Sequence, residues 1–223
     1  MKLTTLVNKL VVRRTDRLFA KFLSIEEEKR ERVINAAMKE FAQKGYSAAS
    51  TNEIAKEAGI SKGLLFHYFT SKKDMYLYLY DHSIEMLVNE VEAKVDREER
   101  DFFKKIRQTA VVKLGIYNVH PDLFQFMEKA FFEESPEVKP ELLERYKRIA
   151  ASEYSHMFAD IDTSKFKDGV DPGRALQVVL WSMEGLGEKM REQHRRVGGE
   201  LQIEELMSEF DAYMELFERS FYK

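Results

Sequence analysis

The chain has 223 residues, 44% of them hydrophobic and 12% aromatic, with ten glycines, four prolines and no cysteine. So much apolar mass can offset chain entropy, so few turn residues disfavour a sandwich or an α/β fold, and the missing thiols exclude disulfides, thiolate zinc sites and cysteine nucleophiles. The net charge of −3 divides unevenly, with 15 Lys and Arg against 8 Asp and Glu in residues 1–73 but 21 against 31 in residues 74–223, as in a polyanion-binding module fused to an acidic scaffold.

Met1–Leu23 is a basic amphipathic stretch. Leu3, Leu6, Val7, Leu10 and Val11 recur at helical spacing among Lys2, Lys9, Arg13, Arg14, Arg17 and Lys21. It lacks the continuous apolar core and cleavage site of a secretion signal. Glu26–Lys44 reads as a helix with Val33, Ile34, Ala37, Met38 and Phe41 as its stripe and Gly45 as its stop. Ser50 to Glu53 has capping-box form and opens a short helix over Thr51–Ala58, which Gly59 ends. Ser61 caps a second short helix to about His67, and Ser71 caps a long one from Lys72 to about Val95, whose broad face holds Tyr76, Leu79, Tyr80, Ser83, Ile84, Leu87, Val88 and Val91. Further helices are expected over Asp101–Val119, Asp122–Glu134, Glu141–Phe158, Pro172 to about Arg195, and Ile203–Phe221. Thr163–Gly173 is the clearest loop, and Gly198-Gly199 separates the last two helices. No apolar run approaches the roughly 20 residues that cross a bilayer. A cytoplasmic all-α protein is expected.

Thr51–Phe69 is the informative segment. Two short helices joined at Ala58-Gly59-Ile60 make a helix-turn-helix, with Gly59 supplying a positive φ. Ile54, Ala58, Ile60, Leu65 and Phe69 pin the pair to Phe41, which leaves Lys62, Gly63, Leu64, Phe66, His67 and Tyr68 outside. Leucine and phenylalanine exposed beside Lys and His are costly in water and sensible in a DNA major groove.

Three runs, Phe41 to Tyr46, Asn52 to Phe69 and Ser71 to Asp74, closely resemble the amino-terminal domain of TetR/AcrR-type transcriptional regulators. The resemblance covers about Glu28–Leu79; beyond it only the number, length and order of helices agree. It implies a homodimer in which a three-helix helix-turn-helix domain binds a double-stranded DNA operator and a larger helical domain takes a small-molecule effector and dimerises. The divisions are then 1–24 for the amino-terminal extension, 25–73 for the DNA-binding domain and 74–223 for the effector and dimerisation domain.

The residues carry this reading one by one. Thr51 and the first N–H groups of its helix face a phosphate. Asn52 is placed for a base edge or the backbone. Lys62 is a phosphate or guanine contact, and Gly63, lacking a Cβ, permits close approach. Leu64 and Phe66 can read only a thymine methyl or groove shape. His67, Tyr68 and Lys72 are expected to clamp phosphates. Where Leu64 and Phe66 stand the family often has Thr and Tyr, so its base-contact scheme does not transfer. The extension over residues 1–24 has several readings: a basic arm on phosphates or in the minor groove, a strand of charge on an anionic membrane, an apolar stripe packed on the body, or an added helix without a role.

Aromatic and Met residues crowd the middle helices, where spacing alone indicates core. The resemblance raises a pocket for an apolar or aromatic effector, lined by Phe103, Tyr117, Phe124, Met127, Phe131, Tyr154, Met157 and Trp181, with Glu128, His156 and Glu184 as orienting groups. Glu153-x-x-His156 has a di-metal spacing but no second copy, so no metal or other cofactor is expected. Hydrolase and phosphate-loop signatures are missing, and no catalysis is expected. Leu206, Phe210, Tyr213 and Phe217 belong to a stripe too wide to hide within one chain. Val178, Ser182 and Gly185 offer a close-packing face on the preceding helix, and the resemblance makes these a two-fold four-helix interface. The competing reading is a helical module for protein or membrane contacts with a non-functional helix-turn-helix.

Overall fold

The computed structural model describes residues 19–157, 159–197 and 203–223. Among these lie ten α-helices: α1 Ala20–Leu23, α2 Glu27–Ala48, α3 Thr51–Glu57, α4 Lys62–Tyr68, α5 Lys72–Lys94, α6 Phe102–Val119, α7 Pro121–Phe131, α8 Lys139–Met157, α9 Pro172–Val197 and α10 Ile203–Phe221. The all-α expectation holds. The amphipathic stripe over Met1–Leu18 and the Gly198-Gly199 break lie outside the described residues. Two compact units divide the chain, residues 1–95 with 109–159 and residues 96–108 with 160–223.

In the first unit α2 packs on α3, α5 and α7, α3 on α4, and α1 on α4. The centre is aromatic. Phe41 and Tyr76 meet edge to face at 4.8 Å, and Tyr76 meets Phe126 at 5.2 Å, each fully buried. The sequence expects one broad apolar face on α5, but Met75 through Asp81 are all buried, because α2 and α7 enclose the first half of that helix. Two ion pairs bind α5 to α8: Lys73 to Glu141 at 2.6 Å, and the Arg145 Nε donating to both Asp81 oxygens at 3.0 and 3.2 Å. Burial drives the Asp81 carboxyl above its ordinary range, against the pull of Arg145.

The second unit closes on a ring of Phe102, Phe103, Phe166 and Tyr222, with centroids 4.8 to 6.0 Å apart. The expected loop at Thr163–Gly173 therefore has internal order. A 3-10 turn at Thr163–Lys165 delivers the buried Phe166 to an isolated antiparallel bridge with Tyr222. Lys165 reaches Asp101 at 2.7 Å, and α9 packs on α10.

Candidate nucleic-acid interface

A glycine break in α2 and two serine-capped helix starts build the site. α2 loses helical geometry at Gly45, whose φ of 70° and ψ of 178° only glycine adopts readily, and a short turn follows to Ala48. The Tyr46 N–H freed by this break donates to the Glu133 carboxylate at 3.1 Å. The Ser50 Oγ then accepts from the Glu53 N–H at 3.4 Å, starting α3. The other half of the expected capping box comes from elsewhere: the Ser50 N–H donates to Glu40 Oε1 at 2.8 Å. Glu40, buried, also holds Lys44 at 2.9 Å. Burial alone would raise its carboxyl, but the Lys44 and Ser50 bonds outweigh that and hold it below the usual glutamate range. The sequence signal for Glu40 is a carboxylate three and four residues from Ala37 and Ala36 on an otherwise apolar stripe.

α3 ends in a Schellman motif. The Ile60 N–H donates to the Ala55 carbonyl at 2.9 Å and the Gly59 N–H to Lys56 at 3.1 Å, with Gly59 at φ 67°. The Ser61 Oγ accepts from the Leu64 N–H at 3.1 Å and opens α4. Ile54, Ala58, Leu65 and Phe69 are buried with Phe41, as expected.

α4 has two faces. Lys62, Gly63, Phe66 and His67 are exposed, and Phe66 leaves 37% of its surface in water with the Lys62 ammonium 6.0 Å from its ring. Tyr68 corrects the sequence reading: it is 7% exposed, its ring 5.6 Å from Phe22. α1, which the helix-turn-helix pattern does not include, covers that side of α4. Leu64, one turn before Tyr68, is half-buried against the same core. Thr51 is half-buried and Asn52 exposed at the start of α3. Lys72 is also engaged within the fold. Its Nζ donates to the Ser47 and Ala49 carbonyls at 3.1 and 3.0 Å and lies 4.8 Å from the Tyr46 ring, so it braces the segment leading into α3.

The expected effector residues divide between the units. Phe103, Trp181 and Glu184 fall in the second, the others in the first. Phe103 is buried in the ring around Tyr222, and Trp181 is 63% exposed. Tyr117 and Phe124 lie 5.4 Å apart, Met127 packs on the first core, and Glu128 is half-buried. Phe131 is largely exposed, edge-on to Tyr146 at 5.8 Å. The side chains of Glu153, Tyr154, His156 and Met157 lie outside the described residues. Of the expected dimer residues, Val178 and Gly185 are exposed, Ser182, Leu206, Tyr213 and Phe217 are half-buried, and Phe210 is buried. Among the described residues no group of three or more His, Asp or Glu is placed to hold a metal ion, and no helix is long and apolar enough to cross a membrane.

Comparison with known proteins falls on the same segment. The family model for "Bacterial regulatory proteins, tetR family" matches residues 33–79. The HTH-type transcriptional regulator YuxN of Bacillus subtilis is 39% identical over 84 residues, 36% of this chain and 28% of its own. The HTH-type transcriptional activator FasR of Mycolicibacterium smegmatis is 38% identical over 65 residues, 29% of this chain and 30% of its own. The chain thus matches less than a third of the length of these curated relatives. Whole-chain likeness comes from solved structures. A TetR family transcriptional regulator from Chloroflexus aurantiacus covers 92% of this chain and 98% of its own at 26% identity, TM-score 0.58. The fatty acid degradation regulator FadR from Bacillus halodurans covers 84% and 97% at 17% identity, TM-score 0.65, a likeness of fold.

Proposed function

We propose that this chain, whose residues 33–79 match the tetR family model, is a homodimeric transcriptional repressor of that family. It binds a palindromic operator through α4 and is released by a small apolar or aromatic effector. The observation that carries the reading is the outward face of α4, where Phe66 stands in water between Lys62 and His67 while Leu65, Tyr68 and Phe69 are buried behind it. A cation beside an apolar ring on one exposed face suits a groove that offers phosphates at its rim and thymine methyls on its floor. Lys62 and His67 then touch backbone or base edges, Gly63 admits the helix to the groove, and Thr51 and Asn52 approach the neighbouring strand. Tyr68 and Lys72 hold the reading helices in place.

The effector acts through α5, which starts at Lys72 beside the DNA-binding helices and continues to Lys94. Ligand in the helical domain over residues 74–223 shifts α5 and so the distance between two recognition helices. A hundredfold preference for the non-binding form supplies about 2.7 kcal/mol toward release. Pairing of two subunits runs through Val178, Ser182 and Gly185 of α9 and Leu206, Phe210, Tyr213 and Phe217 of α10. Selection of duplexes from a random-sequence pool by the full chain at 50 mM KCl, followed by footprinting, is expected to yield a palindrome. Its half-sites should be centred about 10 base pairs apart or a multiple of that. A selected pool no less random than the input contradicts the reading.

A further inference from the structure

Tyr46 stands where α2 breaks and the chain turns toward α3, and it is gripped from outside the helix-turn-helix. Its N–H, left without a helical partner by the Gly45 break, donates to Glu133 Oε2 at 3.1 Å. Burial and a hydrogen bond to the Glu137 carboxylate push its phenol well above the ordinary tyrosine range. Glu133 and Glu137 both belong to the connection between α7 and α8, where Glu133 Oε1 also accepts from the Ser135 N–H at 2.9 Å. On the other side Lys72 of α5 holds the Ser47 and Ala49 carbonyls, and Ser50 then caps α3. The few residues that aim α3 and α4 are thus held between α5 and the α7–α8 connection, all within the first unit.

Tyr76, on α5, is fully buried with its ring 5.1 Å from that of Tyr46, and its hydroxyl has no hydrogen-bond partner among the described residues. A buried hydroxyl without a partner costs stability and calls for a reason. Burial drives the Tyr76 phenol up, and Glu133 is the foremost charge acting on it. The carboxylate that holds the Tyr46 N–H is therefore also the charge felt most by a donor that lacks an acceptor.

We propose that Glu133 is a positioning residue for DNA binding, its carboxylate exchanged between the Tyr46 N–H, which keeps the turn after Gly45 in the arrangement that presents α4, and the Tyr76 hydroxyl, which releases that turn. The inference rests on the DNA-binding reading above and names the point at which movement of α5 reaches the reading helices. A shift of α5 that brings the Tyr76 hydroxyl to Glu133 satisfies one buried donor and frees another. Neither arrangement gains a hydrogen bond over the other, so a small differential affinity of a ligand for the second suffices to populate it. No proton is transferred; one acceptor changes donors.

The test uses the full chain, a fluorescent palindromic duplex recovered by selection, and hydrogen exchange read at single amides. Glu133→Ala is expected to bind the duplex about tenfold more weakly at a temperature where its melt shows it folded. Glu133→Gln keeps an acceptor for the Tyr46 N–H and is expected to stay within about threefold of wild type. Tyr76→Phe removes the competing donor, so its Tyr46 amide is expected to exchange at least about fivefold more slowly than in wild type, relative to the Phe126 amide of α7. In the Glu133→Ala background the same substitution is expected to leave the Tyr46 rate unchanged, since no acceptor remains to be shared. Wild-type affinity in folded Glu133→Ala, or a Gln variant as weak as the Ala variant, overturns the positioning role and leaves the α4 reading standing. A Tyr46 rate that Tyr76→Phe does not slow overturns the exchange, and this readout stands whether or not Glu133→Ala folds. A wild type that binds no duplex overturns the DNA-binding reading and the positioning role with it.

Discussion

Lys62 and Lys72 each occupy the first position of a helix, yet their surroundings give them different work. Lys62 is exposed, its ammonium over the Phe66 ring at 6.0 Å from the centroid, the outer limit of a cation–π contact. Lys72 spends two N–H donors on the Ser47 and Ala49 carbonyls. Lys72→Ala is expected to cost about 1–2 kcal/mol of stability in urea melts, because both carbonyls lose a charged donor. Lys62→Ala is expected to stay within about 0.5 kcal/mol of wild type while lowering the salt slope of DNA binding by about 0.9. A Lys72→Ala protein as stable as wild type would contradict the bracing role. This division is not legible in the sequence, where Lys62 reads as a phosphate or guanine contact and Lys72 as a phosphate clamp, because nothing local reports that Gly45 turns the chain and carries Ser47 and Ala49 back to α5. Tyr68 was misplaced for a similar reason. The sequence leaves it outside with the rest of the outward face, and its cover, Phe22, comes from the amino-terminal stretch, for which packing on the body is one reading among several.

Most elements were readable from their ends. Ser50, Ser61 and Ser71 cap α3, α4 and α5 as the sequence suggests, and Gly59 stops α3 with the positive φ expected of it. Caps are legible because they depend on residues three apart. The partner that completes the Ser50 cap is not, since Glu40 arrives from the previous helix ten residues earlier. Its carboxyl is depressed in the fold, so the stability it contributes is present above the ordinary glutamate value of 4.5 and is lost as pH falls through its lower folded value. Glu40→Gln keeps an acceptor for Ser50 but loses the charge toward Lys44. It is expected to be about 1 kcal/mol less stable than wild type at pH 7, with the gap closing as pH drops below about 4.5. A gap constant from pH 7 to pH 3, measured by urea denaturation, would show that the charge contributes nothing.

For the whole molecule, the helix-turn-helix and the helices α2 to α10 were visible in the sequence, whereas the separate short helix α1 and the grouping of α7 and α8 with the amino-terminal helices were not. Local periodicity says which face is apolar and not which helix it meets. Phe126 and Leu123 of α7 are core to α2 and α5, while Phe131 on the same helix, which the resemblance assigns to the effector pocket, leaves 49% of its surface in water. In the second unit Trp181 and Val178 expose apolar surface along α9, and Leu216 does so on α10, which is the surface the proposed dimer would cover. The account turns on α4 entering a groove, and Gly63 isolates that claim. A Cβ at Gly63 would meet only the Ser61 Oγ, at 4.0 Å, so the fold has no need of glycine there. The decisive measurement is a mobility-shift titration of wild type and Gly63→Leu on a selected palindromic duplex, alongside thermal melts of both. The expected result is a variant that melts no lower than wild type and binds at least about 100-fold more weakly, its side chain barring the approach of α4. A stably folded variant that binds with wild-type affinity would contradict the account.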